Sequence, residues 1–250
     1  MLKKILLGAA MLATSSFATY SQFPVPQANS GEVKVYTDFT MQDKRKAWDL
    51  GLKGRFVPVQ NLEIWLQLPF TLMTRWGGED TKGDGMKNLT FGGRYQITQN
   101  VAAFLDMTFP TGKKRINDDG LTFNLGAQYS QNFGTIDLGS ELGFIFHTEG
   151  SDKFKAAPEL HLNVEVDPIV SQTISPYIGL DLYIVVGDPK FDGHKSGDTS
   201  GNVGVFPYLG ANFKITEIFS ADLCAIFGFG KDYVGDKTPI TLEASFNASF

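Results

Sequence analysis

Eight carboxylates fall on one parity of an alternating sequence pattern: Asp106, Asp137, Glu141, Glu159, Glu165, Asp181, Asp222 and Glu243, with Glu63 nearby. The bases of that parity are fewer, chiefly Lys53, Arg55, Arg94 and Lys214. What the acids can do is charge the wall of a water-filled passage, so that cations or neutral solutes pass in preference to anions. They can equally pair with the bases and close it, since an interior charge has to be paired or hydrated. Both outcomes stay open at the level of sequence. The residues expected to line such a passage are Arg94, Asp106, Asp137, Glu141, Glu159, His161, Glu165, Asp181, Asp222 and Glu243.

Catalysis needs more than this. A hydrolase requires a nucleophile with a histidine and an orienting acid or amide in reach. The histidines are His147, His161 and His194. His161 shares a strand face with Asn163, but no serine joins them, so a histidine without chemistry is the expectation. His147 and His161 could meet across neighbouring strands and bind a metal, but two ligands whose register the sequence does not give are weak evidence for a site. The segment 188–200 gathers Asp188, Asp192, His194 and Asp198 among glycines, yet it lacks the terminal Glu of a calcium loop and reads as a solvated tip. Cys224 stands alone and excludes an intrachain disulfide; on the inward parity it reads as a small filler. No catalytic residue, cofactor or metal is expected.

The elements that must hold these residues are strands. Leu62, Ile64, Leu66, Leu68 and Phe70 alternate with Glu63 and Gln67, and Ile240, Leu242, Ala244, Phe246, Ala248 and Phe250 alternate with Thr241, Glu243, Ser245, Asn247 and Ser249. This period of two, one apolar stripe per segment, recurs along the chain. It predicts about twelve strands, near 32–41, 47–57, 62–72, 86–97, 101–109, 120–131, 135–147, 156–166, 174–187, 202–215, 218–230 and 237–250. Ten or fourteen lie within the error of boundaries read this way. Tight turns at 59–61, 98–100, 132–134 and 216–217 take turns with longer polar links at 73–85, 110–119, 148–155, 188–200 and 231–236, the asymmetry of periplasmic turns and external loops.

A soluble sandwich does not need an apolar stripe on nearly every strand opposite one carrying several charges. In a closed soluble barrel the apolar stripes would face water over far more than the few hundred Å² that monomers tolerate. The fold expected is therefore an all-β transmembrane antiparallel up-and-down barrel of the outer membrane, with the lipid bilayer as its first partner.

The N-terminus agrees. Lys3 and Lys4, an apolar stretch from Ile5 to Ala13 and the small-residue site Ser16-Phe17-Ala18 have the layout of a cleaved secretory signal, giving 1–18 as leader and 19–250 as barrel. Losing Lys3 and Lys4 moves the formal charge from -5 to about -7, which excludes a basic nucleic-acid footprint. The 27 glycines and 21 phenylalanines suit tightly curved strands and aromatic girdles. Trp48, Trp65 and Trp76, with Tyr20, Tyr36, Tyr95, Tyr129 and Tyr233, lie mostly toward strand ends and are assigned in part to those girdles.

Two resemblances add to this reading. The last strand, ending in Phe250, resembles the terminal signal by which barrel-insertion machinery recognises outer-membrane proteins. Residues 62–147, about a third of the chain, contain Leu68-Pro69-Phe70 closing a strand, Gly83-Asp84 and Leu89 before a strand ending Gly93-Arg94-Tyr95, and Phe109-Pro110-Thr111-Gly112 closing the next. In that order and spacing they resemble the outer-membrane transporter family labelled "MetA-pathway of phenol degradation". The chain departs from it by an extra Gly85 and the basic run Lys113-Lys114-Arg115. The resemblance implies a barrel and a transport role, often for hydrophobic or aromatic compounds, and no catalytic residue. A channel for passive passage of a small solute is the expected function; a closed structural or surface-binding barrel is the alternative, and a lipid hydrolase the third.

Overall fold

The computed structural model describes residues 20–81, 83–114, 117 and 119–250. The expected leader, 1–18, and Arg115 of the basic run lie outside the described residues.

Twelve long strands form the wall: β1 Gly31–Gln42, β2 Arg45–Val59, β3 Leu62–Trp76, β4 Leu89–Gln96, β5 Val101–Phe109, β6 Thr122–Asn132, β7 Ile136–His147, β8 Glu159–Pro168, β9 Ile174–Val185, β10 Val203–Lys214, β11 Phe219–Phe227 and β12 Ile240–Ser249. Each pairs antiparallel with the next in sequence, and β12 pairs back onto β1 from Glu32↔Ser249 to Met41↔Ile240. Gly31 and Phe250 exchange both backbone hydrogen bonds, so the last residue completes the seam. Closure leaves no free edge, which a sheet in lipid requires.

The register fixes the width. Followed from Lys34 through Lys53, Gln67, Thr90, Thr108, Thr122 and on around, the ladder returns to β1 about 14 residues further along. With twelve strands that stagger gives a tilt of ~40° and a wall-to-wall backbone span of ~23 Å. Long side chains from opposite walls can therefore nearly meet.

The alternation sorts side chains between lipid and interior. Leu66 is 40% exposed on the outside while Trp65, its neighbour, is 2% exposed within. Across the molecule Leu, Ile, Val and Phe are exposed, and Thr90, Gln128, Asn163 and Asn247 are buried. The connections 43–44, 77–88, 110–121, 148–158, 186–202 and 228–239 share one end, all but the first of them long; 60–61, 97–100, 133–135, 169–173 and 215–218, none longer than five residues, share the other with the first and last strand ends.

Four features differ from the sequence reading. Strand β3 runs on to Trp76, and the link after it pairs back on β3 through Glu79–Asp80 and Gly85–Met86. A second small sheet joins Phe154–Lys155, Lys190–Phe191 and His194–Lys195 over the same end. Strand β11 stops at Phe227, not 230: Phe229 bridges to Val205, Gly230 takes φ 109, and the chain turns inward as a one-turn helix, α1, Lys231–Val234. Residues 20–30, ahead of β1, enter the barrel from its short-turn end.

The girdle assignment needs correction. Trp48, Tyr95 and Tyr129 are exposed on the outer face and Trp76 is exposed at the loop-side end of β3, whereas Tyr36, Trp65 and Tyr233 are buried inside and Tyr20 lies among interior side chains. Their parity matches the polar stripe. Inward aromatic rings need flat wall beside them: a Cβ on Gly51 would stand 2.2 Å from the ring of its register partner Tyr36, and one on Gly179 would stand 2.1 Å from the ring of Tyr208, also its partner. Part of the glycine content is explained by this packing.

Candidate functional site: the barrel interior

A hydrogen-bonded belt crosses the interior. Arg94 of β4 grips Glu63 of β3 with two parallel bonds, Nε to Oε1 at 2.8 Å and Nη2 to Oε2 at 3.0 Å. Arg55 bridges Glu63 and Glu32, each at 3.4 Å. On the other side Arg94 donates to Gln128 at 3.2 Å, and Gln128 donates to Glu141 at 2.8 Å. His161 stands between Glu141, at 3.4 Å, and Asp181, at 3.0 Å. Asn163 links Asp181 to Tyr208, which donates to Glu165 at 2.7 Å. Bidentate, charge-assisted pairing of this kind is what makes buried ions tolerable.

Residues 20–25 form a strap against this belt. Arg94 Nη1 donates to the carbonyls of Ser21, at 2.5 Å, and Phe23, at 2.6 Å, and Gln128 donates to Ser21 O at 3.1 Å. The Val25 amide donates to Gln96 at 2.9 Å. Tyr20 donates its hydroxyl proton to Glu32 at 2.7 Å, and its ring lies 4.9 Å from Lys53 Nζ and 4.8 Å from Arg55 Cζ. A cavity of about 280 Å³ remains at the short-turn mouth between Phe23, Pro24, Asn100, Gln131 and Asp137.

The opposite mouth is narrowed by an aromatic cluster. Tyr233 of α1 stacks on Tyr183 at 6.0 Å, meets Phe206 edge-on at 6.0 Å and donates to Glu159 at 2.9 Å. Ile145 and Val185 complete this small apolar core, and His161 stacks on Tyr183 at 4.5 Å. Along β8, β9, β11, β12 and β1 the interior is less tightly filled. Lys34, Glu165, Asp181, Cys224 and Glu243 keep partial solvent exposure there, and Tyr177 donates to Asp222 at 2.8 Å.

The positions of the ten expected lining residues follow. Arg94, Asp106, Glu141, His161 and Asp222 are buried inside, and Glu159, Glu165, Asp181 and Glu243 are inside and partly exposed. Asp137 sits at the short-turn rim, accepting from Asn132 at 2.7 Å. Lys214 is on the same end, paired with Glu217 at 2.7 Å. Missed by sequence reasoning were the strap and the acids Asp38 and Asp49, which the register of β2, β1 and β12 lines up with the expected Glu243. The parity of β1 could have shown Asp38; nothing in the strap's composition marks it.

Both ring nitrogens of His161 face carboxylates, so neither is placed to deprotonate a nucleophile. The register sets His161 opposite Gly143, four residues from His147, and His147 instead meets Thr122 at 2.8 Å. Among the described residues no group of three metal-ligating side chains forms. In the outer loops Asp188 and Asp198 hold Lys195, at 2.6 and 2.5 Å, and Asp192 holds Lys153 at 2.8 Å, which answers the clustering of acids in 188–200 with lysines. The hydrogen bonds to Asp188 from Lys195, and then from the amides of Thr199 and Ser200, hold its carboxyl down to about 2.

The chain shares its fold with an outer membrane channel from Pseudomonas putida F1. The match has a TM-score of 0.76 at 15% identity and covers 93% of this chain and 100% of that one. The translocator domain of the autotransporter NalP from Neisseria meningitidis matches at TM-score 0.60 and 12% identity over 96% of this chain and 93% of that one. The CymD monoaromatic hydrocarbon channel matches at 0.56 and 8% over 90% and 89%. No protein-family profile matches the sequence, and no curated protein does.

Proposed function

We propose that the chain is a passive channel of the bacterial outer membrane for a small solute, without cofactor, energy source or catalytic step. The observation that carries this reading is a closed wall, apolar outside, around a charged interior that stays partly exposed along β8, β9, β11, β12 and β1. A barrel needing only to anchor itself would be better served by an apolar fill, because each interior charge must be hydrated or paired. Acids outnumber bases along the exposed wall, with Glu165, Asp181 and Glu243 beside Lys34, so cations or neutral molecules are favoured. The aromatic rings at the outer mouth, and the likeness in fold to a channel described as passing monoaromatic hydrocarbons, support a hydrophobic or aromatic solute. They also keep the transporter family labelled "MetA-pathway of phenol degradation" as the family proposed.

On the same reading residues 1–18 are a cleaved leader, and the insertion machinery recognises the terminal strand ending at Phe250. Cys224 supplies the test. It faces inward beside Glu243, and the chain has no other cysteine. A charged, thiol-specific methanethiosulfonate should lower the conductance of the refolded protein in a bilayer and leave a Cys224→Ser control unaffected. A conductance indifferent to modification, with the label shown to be attached, would place the current path elsewhere.

A second reading has its own support. The strap and the Arg94 belt fill the half of the interior beside β2 to β7, as a closed structural barrel would require.

A further inference from the structure

The strap is held differently from every other part of the wall. Between Tyr20 and Val25 the described hydrogen bonds and ring contacts to the barrel are made by its side chains, among them Arg94, Gln96, Gln128, Glu32, Lys53 and Tyr208, and no strand ladder forms. Ladder-like backbone bonds begin only at Asn29 and Ser30, with Val57. Such a segment can leave while all twelve strands stay paired.

What it occupies has a defined chemistry. The phenol ring of Tyr20 lies beneath two cations, a favourable arrangement for an electron-rich face. Its hydroxyl proton goes to Glu32, and the buried indole of Trp65 lies 4.8 Å from the same Lys53 ammonium. Beyond the ring, one guanidinium nitrogen of Arg94 collects two carbonyl oxygens. Ring, hydroxyl and oxygen acceptors are thus each met by a complementary group fixed on β1, β2 or β4. The guanidinium is itself oriented by its fork onto Glu63.

We propose that Tyr20–Phe23 fills, as a built-in stand-in, a binding site in the passage for a neutral hydroxylated aromatic solute bearing a carbonyl group, and that such a solute competes with the strap. The solute ring replaces that of Tyr20 over Lys53 and Arg55, its hydroxyl bonds Glu32, and its carbonyl oxygen takes the place of the Ser21 and Phe23 carbonyls on Arg94. The inference rests on the channel reading for its purpose but not for its measurement, because binding is read without current.

The probe is 3-(4-hydroxyphenyl)propanamide, which reproduces the Tyr20 side chain and ends in a neutral carbonyl; 3-cyclohexylpropanamide is the control. With Trp48→Phe and Trp76→Phe, the fluorescence of Trp65 reports on the site in detergent. Two further variants set the strap. One lacks residues 19–27. The other locks the strap by Gln22→Cys and Gly139→Cys in a Cys224→Ser background: a Cβ on Gly139 would stand 3.1 Å from that of Gln22, a small adjustment from the ~3.8 Å of a disulfide. A heat-dependent gel shift verifies folding, and Tyr20→Ala, which leaves the Arg94 contacts in place, serves if the deletion does not refold. The deleted protein is expected to bind the phenolic probe saturably and at least about tenfold more tightly than either the cyclohexyl control or the oxidised tether binds, with reduction of the tether restoring affinity. Equal affinity with the strap locked or deleted, or no preference for the phenolic probe, overturns the proposal. A barrel that binds the probe as expected yet conducts nothing would refute the channel reading alone.

Discussion

Arg94 concentrates the interior's electrostatics in one side chain. Its planar fork matches the Glu63 carboxylate, and its remaining nitrogen reaches both the strap and Gln128, which a lysine could not do at once. Glu63 is fully buried, so removing its partner leaves a carboxylate whose remaining ion pair among the described residues is with Arg55, at 3.4 Å. Arg94→Leu should therefore lower the unfolding free energy by about 3–5 kcal/mol. The double variant Arg94→Leu with Glu63→Leu should recover much of that loss. Urea titration of the protein in lipid vesicles checks both, and a double variant no better than the single would mean the pair is not the source of the cost. The alternation placed Arg94 and Glu63 inside from sequence alone. Their bond was not legible, because it depends on a register between strands 31 residues apart.

At the scale of elements, strands were the legible part. A period of two with an apolar lipid face repeats on β3, β5, β7 and β12 whatever surrounds them, and it brought most boundaries within a few residues. It failed where a segment serves the interior. Helix α1 looks like an ordinary loop because it is one turn long and sends only Tyr233 and Val234 against the interior cluster, and the strap looks like a linker because its bonds come from side chains elsewhere in the chain. Inward aromatics were misread for the same reason: a girdle and a lumen both use Tyr and Trp, and only parity tells them apart.

The outer loops keep their own order. Asp188 is tied to Lys195 and to the amides of Thr199 and Ser200, and its folded pKa of about 2 lies below the usual 3.8. A depressed carboxylate stabilises the loop above its ordinary range and loses that contribution as pH falls through the depressed value. The Thr199 and Ser200 amide resonances should accordingly titrate with a midpoint of about 2, and Asp188→Asn should abolish the transition. A midpoint in the ordinary carboxylate range would contradict the hydrogen bonds that hold this loop.

The whole molecule inverts a soluble protein. Leu, Phe and Val face outward, and the interior holds Arg94, Glu63, Glu141 and His161, which is stable only with lipid outside and with each inner charge paired or wetted. The inner charges divide into two regions: a paired belt with the strap beside β2 to β7, and a less filled acidic wall along β8, β9, β11, β12 and β1. The second region is what a solute can use. The most direct test is single-channel recording of the refolded protein in a planar bilayer under a salt gradient. The account predicts stable steps whose reversal potential favours cations, with larger steps once residues 19–27 are removed. A verified folded barrel that stays silent with and without the strap would contradict it and leave a closed, structural barrel.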